Sequence, residues 1–143
     1  LGLDDPDSAD TWARHARQRA PESRWSEFIP LAIHWYRGEY ETFLDLNARM
    51  RVEGSAPGTW SLSWTGQTLV LLGKNQEAES YFRKTLEIQG FDGEYLPNAN
   101  IAETVAFLIS ILPDGEERSR LLTVLRSFAD HLTDVTTPTL CVQ

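Results

Sequence analysis

The chain has 143 residues, enough for one domain with a core of its own. Acidic side chains outnumber basic ones, 21 to 13, for a formal charge of -8, and the basic residues are scattered; such a surface repels a phosphate backbone and offers no patch for an anionic membrane. At 41% hydrophobic and 24% charged it reads as a soluble globular protein; no apolar run approaches the roughly 18 residues of a membrane span, and no basic segment followed by an apolar one opens it.

Helical periodicity dominates, and Val, Ile and Thr never alternate with polar residues for long enough to make a strand. Seven helices are predicted. The first runs from about Ser8 to Arg19, with Asp7 or Ser8 as N-cap and Pro21 barring continuation. The second runs from about Arg24 to Arg37, capped by Ser23 and closed by Gly38. The third, about Tyr40 to Arg51, carries Phe43, Leu44, Leu46 and Met50 on its apolar side and ends at the loop Gly54 to Gly58. The fourth covers about Thr59 to Leu72 and stops at Gly73; the fifth covers about Gln76 to Gln89 and stops at Gly90. A longer loop, Phe91 to Pro97, follows. The sixth helix spans about Ala99 to Leu112, before Pro113, and the seventh about Gly115 to Asp134. The tail from Thr136 to Gln143 is expected to be irregular or docked. Short links make consecutive helices antiparallel neighbours.

The pattern repeats. Trp25 and Trp60 are 35 residues apart, as are Gly38 and Gly73, and the turns Gly38-Glu39-Tyr40 and Gly73-Lys74-Asn75 match. A fainter third copy places Gly115 42 residues beyond Gly73. Gly66 interrupts the fourth helix at about 1 kcal/mol relative to Ala, which makes sense only where another helix presses close.

On Gly66, Leu72-Gly73, Ala78, Phe82 and Leu86, the segment from Trp60 to Gly90 resembles a tetratricopeptide repeat, a unit of 34 residues. Thr85 stands where that family usually has Ala, and Gly90 where it often has Pro. The first unit keeps the glycine turn but has Leu31 and Phe43 in place of small residues. The resemblance implies an all-α fold, an α-α superhelix of stacked antiparallel helical hairpins: a leading helix over 1–23, then hairpins over 24–53, 59–90 and 98–134. The opening Leu1 to Trp12 is similar to a junction between two such units, so the single domain is expected to be a fragment of a longer chain. The whole is also similar to helical-repeat regions of bacterial signalling proteins and transcriptional regulators.

The first helices of such hairpins line the concave face of the stack. That places Trp25, Phe28, Ala32 and Trp35 from one unit beside Trp60, Ser63 and Gln67 from the next. Trp25, Phe28, Trp35, Trp60, Ser63 and Gln67 are the candidate partner-binding residues, because tryptophan buries much area for little entropy. The rival reading makes the same aromatics core. Some family members hold a terminal carboxylate with Lys and Asn here; none of these positions is basic, so an apolar or helical segment fits better.

The implied function is a non-catalytic scaffold for protein–protein interaction, binding a protein or peptide partner or another domain of the same chain. Alternatives are a small-molecule sensor or regulatory domain, and a self-association domain forming a homodimer. Neither a cofactor nor a metal is expected. His15, His34 and His131 have no metal-ligand spacing, and His34 reads as a satisfied core histidine. Glu77, Glu79, Glu116 and Glu117 lie near helix starts, where they favour the dipole, and no nucleophile–base pair emerges. Arg118, Arg120 and Arg126 sit on a last helix whose Leu121, Leu125, Phe128 and Leu132 share one face, the pattern of a capping helix. The lone Cys141 excludes an internal disulfide and favours a reducing compartment; a cytoplasmic location is expected, with the periplasm as the alternative.

Overall fold

A computed structural model of the chain describes residues 6–19, 24–52 and 58–136. The expected N-terminal junction before Pro6, the Pro21 stop and Ser23 cap, most of the Gly54–Gly58 loop and the tail with Cys141 lie outside the described residues, as do the side chains of Trp25 and Leu132. The fold is all-α: α1 (Pro6–Arg19), α2 (Arg24–Tyr36), α3 (Tyr40–Val52), α4 (Thr59–Leu71), α5 (Asn75–Ile88), α6 (Ala99–Ile111) and α7 (Glu116–Thr136). No helix among the described residues is long and apolar enough to cross a membrane. Each helix packs on its chain neighbours, and α4 packs also on α6.

The punctuation works as the sequence requires. Gly73 adopts φ 74°, its amide donates to the Val70 carbonyl, and the Lys74 amide reaches back to Leu69 at 2.8 Å. This closure absorbs two orphan carbonyls and needs a left-handed residue that glycine supplies without strain. Gly38 repeats it one hairpin earlier at φ 73°, with its amide on Trp35 and that of Glu39 on His34 at 2.9 Å. At α6 the Asn98 side chain accepts from the Ile101 amide, while Leu112 turns extended ahead of Pro113.

One local expectation is corrected. Asp7 and Ser8 are not caps but lie inside α1, which begins at Pro6; proline has no amide to leave unpaired and its φ suits a first helical position. Helix α2 runs through Pro30, where the missing amide leaves one helical hydrogen bond unmade.

Helix α4 is the centre. Ser61, Ser63, Thr65, Gly66, Gln67, Thr68 and Leu69 are all buried, so more than a full turn is covered on every side although only Leu69 is large and apolar. Small side chains let neighbours approach closely. A Cβ at Gly66 would lie 2.5 Å from Cε1 of Phe82, and the Phe82 ring, itself fully buried, has nowhere to retreat. Ala78, Phe82 and Leu86 of α5 continue into a core with Leu69, Leu96, Ile101, Ala102, Val105, Leu108, Ile109 and Leu121. Thr85, buried on α5, donates its hydroxyl to the Tyr81 carbonyl at 2.8 Å. Leu31 of α2 and Phe43 of α3 are buried as well.

Helix α7 lays Leu121 onto this core, with Leu125 and Phe128 partly buried beside it. Two of its basic side chains serve the helix's own attachment: Arg118 donates to the Ile109 carbonyl at 3.2 Å and pairs with Asp114, and Arg120 lies over Gly93. Glu117 takes a bidentate pair of bonds from Arg83 of α5, at 2.8 and 3.0 Å, while Arg83 also holds Glu79 at 2.8 Å. The Arg83 hydrogen bonds hold the Glu117 carboxyl below its ordinary range, and the two glutamates push the Arg83 guanidinium further up.

Gly66→Ala is expected to destabilise the domain by about 1–3 kcal/mol through overpacking, despite the gain in helix propensity. Phe82→Leu makes room, so the double variant should lose clearly less than the sum of the two single changes in urea denaturation. Additive losses would mean that the two residues do not meet. Glu117→Gln should lower stability by at most about 1 kcal/mol at pH 7, since the pair is half exposed. Because the Glu117 pKa is depressed by folding, this difference is full above the ordinary glutamate range and fades as pH falls through the lowered value; melting curves of both proteins from pH 7 to pH 2 measure it.

Candidate functional site

Aromatic side chains from α2, α3 and α4 gather around Trp64. On α2, Phe28 and Trp35 are two turns apart and share a face; on α4, Trp60 and Trp64 are one turn apart and share another. The faces meet. Phe28 touches Trp60 edge-on with centroids 3.8 Å apart, and Trp35 stacks on Trp64 at 5.3 Å. Trp64 also neighbours Phe28 at 5.4 Å, Trp60 at 5.6 Å, Phe43 at 6.2 Å and Tyr36 at 6.5 Å. Edge-on and offset geometries of this kind add about 0.5–1.5 kcal/mol per pair beyond burial. Phe43 closes the inner side, whereas Phe28, Trp35, Trp60 and Trp64 are only partly buried and Tyr36 is 60% exposed. One side of the cluster faces water.

Hydrogen bonds set its orientation. The Trp35 indole Nε1 donates to the Thr68 hydroxyl at 3.1 Å, and Thr68 donates in turn to the Trp64 carbonyl at 2.7 Å. Behind the rings, α3 is keyed to α4 by Asn47, which is 1% exposed. Its Nδ2 donates to Thr65 Oγ1 at 2.7 Å and to the Ser61 carbonyl at 3.3 Å, and its Oδ1 accepts from Ser61 Oγ. Every polar atom of that trio thus has a partner, the condition for burying it without penalty.

Of the residues singled out from the sequence, Phe28, Trp35 and Trp60 come together in this cluster. Trp25 is on α2, three residues before Phe28, with its side chain outside the described ones. Ser63 and Gln67 are 7% and 4% exposed. Ser63 Oγ bonds Thr104 of α6 at 3.1 Å and receives Gln67 Nε2 at 3.5 Å, because α6 covers the part of the α4 face that these residues occupy. Ser63 thus ties α4 to α6, Gln67 bonds within α4, and both are buried. Trp64, the hub, was not singled out; its signal was the one-turn spacing from Trp60.

His34 is hydrogen-bonded, as expected, but not in the core: its ring sits at the rim with Nδ1 2.5 Å from Glu39 Oε2 across the Gly38 turn. A helix-ending turn brings the α3 approach segment back past the α2 terminus, so the partner comes from the turn and not from the interior. No group of three or more potential metal ligands occurs among the described residues.

Two cavities are lined by the described residues. A groove of about 690 Å³ runs between the 94–97 loop and α7, floored by Leu96, Val124 and Phe128 and rimmed by Glu94, Asp130 and His131. Asp92 shapes that loop by accepting from the Glu94 and Tyr95 amides, bonds that lower its carboxyl pKa. A smaller cavity of about 110 Å³ lies beside Trp60 and Trp64, where α4, α5 and α6 converge. Comparison of the chain with protein-family models, with curated proteins and with solved structures returns no match.

Asn47→Leu is expected to cost about 1–3 kcal/mol, because it strips partners from buried Ser61 and Thr65. Replacing all three members together, Asn47→Leu with Ser61→Ala and Thr65→Val, should recover most of that loss. Urea midpoints of the wild type, the single variant and the triple variant decide; a triple variant as unstable as Asn47→Leu would point to packing instead of hydrogen bonding.

Proposed function

We propose that this chain is a non-catalytic interaction module of tetratricopeptide-like design, an α-α superhelix of helical hairpins that holds a segment of a partner protein, or of another domain of its own chain, against the aromatic surface of α2 and α4. The observation that carries the reading is the ring cluster around Trp64, held by packing and hydrogen bonds yet open on one side. A rigid, half-covered group of Trp and Tyr is the composition of an interaction hot spot: large area, little entropy to lose, and polar edges that tolerate water. Phe28, Trp35, Tyr36 and Trp60 offer the contacts, and Trp64 and Phe43 support them from behind. The charge of -8 favours a segment carrying basic residues outside its apolar face.

The test uses an 18-residue amphipathic peptide with Leu and Phe on one helical face and Lys on the other, against a scrambled control, followed by intrinsic tryptophan fluorescence. The ordered pattern should bind and the scrambled one should not. Trp60→Ala should weaken binding at least tenfold, about 1.4 kcal/mol, with a small loss of stability. Trp64→Ala should instead cost about 3–5 kcal/mol in unfolding free energy, as for a large core residue. Equal binding of both peptides, or a Trp60→Ala variant as unstable as Trp64→Ala, would remove the surface from consideration as a docking site.

A further inference from the structure

The small cavity beside the cluster has a composition of its own. Its walls are Trp60 and Trp64, its buried floor is Ser63 and Thr85, and exposed Asn100 and Glu103 stand at its mouth with Thr59 and Gln89 completing the ring. At about 110 Å³ it has room for several waters or a small head group. Two of its hydroxyls are engaged: Thr85 donates to the Tyr81 carbonyl, and Ser63 is paired with Thr104. The Gln89 amide nitrogen donates to Thr59 Oγ1 at 3.3 Å. That leaves Gln89 Oε1, a buried acceptor that no donor among the described residues reaches. Such an atom is costly to leave unmet and attracts an N–H or O–H donor.

We infer that this cavity is an anchoring site for an alkylammonium group. Three features agree. Trp60 and Trp64 line the cavity and an indole ring attracts a cation over its face, the Glu103 carboxylate stands at the mouth, and Gln89 Oε1 offers a buried acceptor to an N–H. The helix ends do not reverse this. The first turns of α4 and α6 bring about half a positive charge each, and the last turn of α5 about half a negative one. The α6 end is already met by the Asn98 side chain, which accepts from the Ile101 amide. Thr85, where a tetratricopeptide unit usually has Ala, becomes part of the floor. The inference deepens the interaction reading and rests on it in one respect: the ammonium belongs either to a lysine of the docked segment or to a free small amine.

The experiment titrates the 143-residue chain with n-butylammonium chloride at constant ionic strength, reading tryptophan fluorescence, with 1-butanol and sodium butyrate as neutral and anionic counterparts. Butylammonium should give a saturable change that neither counterpart produces. Glu103→Gln and Gln89→Leu should each weaken it at least fivefold with an unchanged melting curve; Glu103 is exposed, so its variant stays informative even if the other is destabilised. In a second arm each lysine of the amphipathic peptide is replaced in turn by acetyl-lysine, and one position should account for at least a fivefold loss. An equal response to butanol, a stronger one to butyrate, or no effect of Glu103→Gln overturns the ammonium site. A peptide that binds as well with every lysine acetylated in turn overturns the lysine source while the interaction module stands. Saturation by butylammonium with no peptide binding at all supports the site with a free amine as its source, and removes the interaction reading.

Discussion

Phe82 lies against bare backbone at Gly66, and the rest of the domain is arranged around that contact. A side chain at residue 66 would hold α5 away from α4. Without one, the helices close up, and Ala78, Phe82 and Leu86 pass directly from the α4 surface into the core shared with α6 and α7. The cost of a glycine in mid-helix, about 1 kcal/mol, is offset by the dispersion and burial that the close approach permits.

A central helix built from small residues carries a second requirement. Serine, threonine and glutamine are small or flexible enough to be covered, but they bring hydroxyls and amides with them, and a buried polar atom needs a partner. Helix α4 meets this in three directions: Asn47 reaches Ser61 and Thr65 from α3, Thr104 meets Ser63 from α6, and Trp35 bonds Thr68 from α2. These bonds carry direction where apolar packing does not. They orient α2, α3 and α6 about α4, and in doing so they aim the aromatic rings.

The aromatic cluster and the small cavity follow from the same arrangement. Trp60 and Trp64 are the large residues of the first half of α4, and they stand beside Ser63. Large rings next to a small hydroxyl leave unfilled volume where α5 and α6 arrive, and Gln89, Thr85 and Glu103 border it. The surface proposed to hold a partner segment and the pocket proposed to hold its ammonium group are therefore two faces of one pair of tryptophans.

Seven helices, the glycine turns at Gly38 and Gly73 and the close approach at Gly66 were legible in the sequence, because each depends on local chemistry: 3.6-residue periodicity, a left-handed closure, a missing side chain. The meeting of Phe28, Trp35 and Trp60 was legible from the 35-residue spacing of Trp25 and Trp60 and of Gly38 and Gly73, which led to the expectation that α2 and α4 share a face. Tertiary structure alone decided the role of Trp64 as hub, the burial of Ser63 and Gln67 beneath α6, the keying of Asn47 into α4 and the bridge from Arg83 to Glu117. Those contacts join residues 14 to 41 positions apart, or depend on which neighbour covers which side of a helix, and no periodicity within a single helix encodes the rotation at which its neighbour arrives.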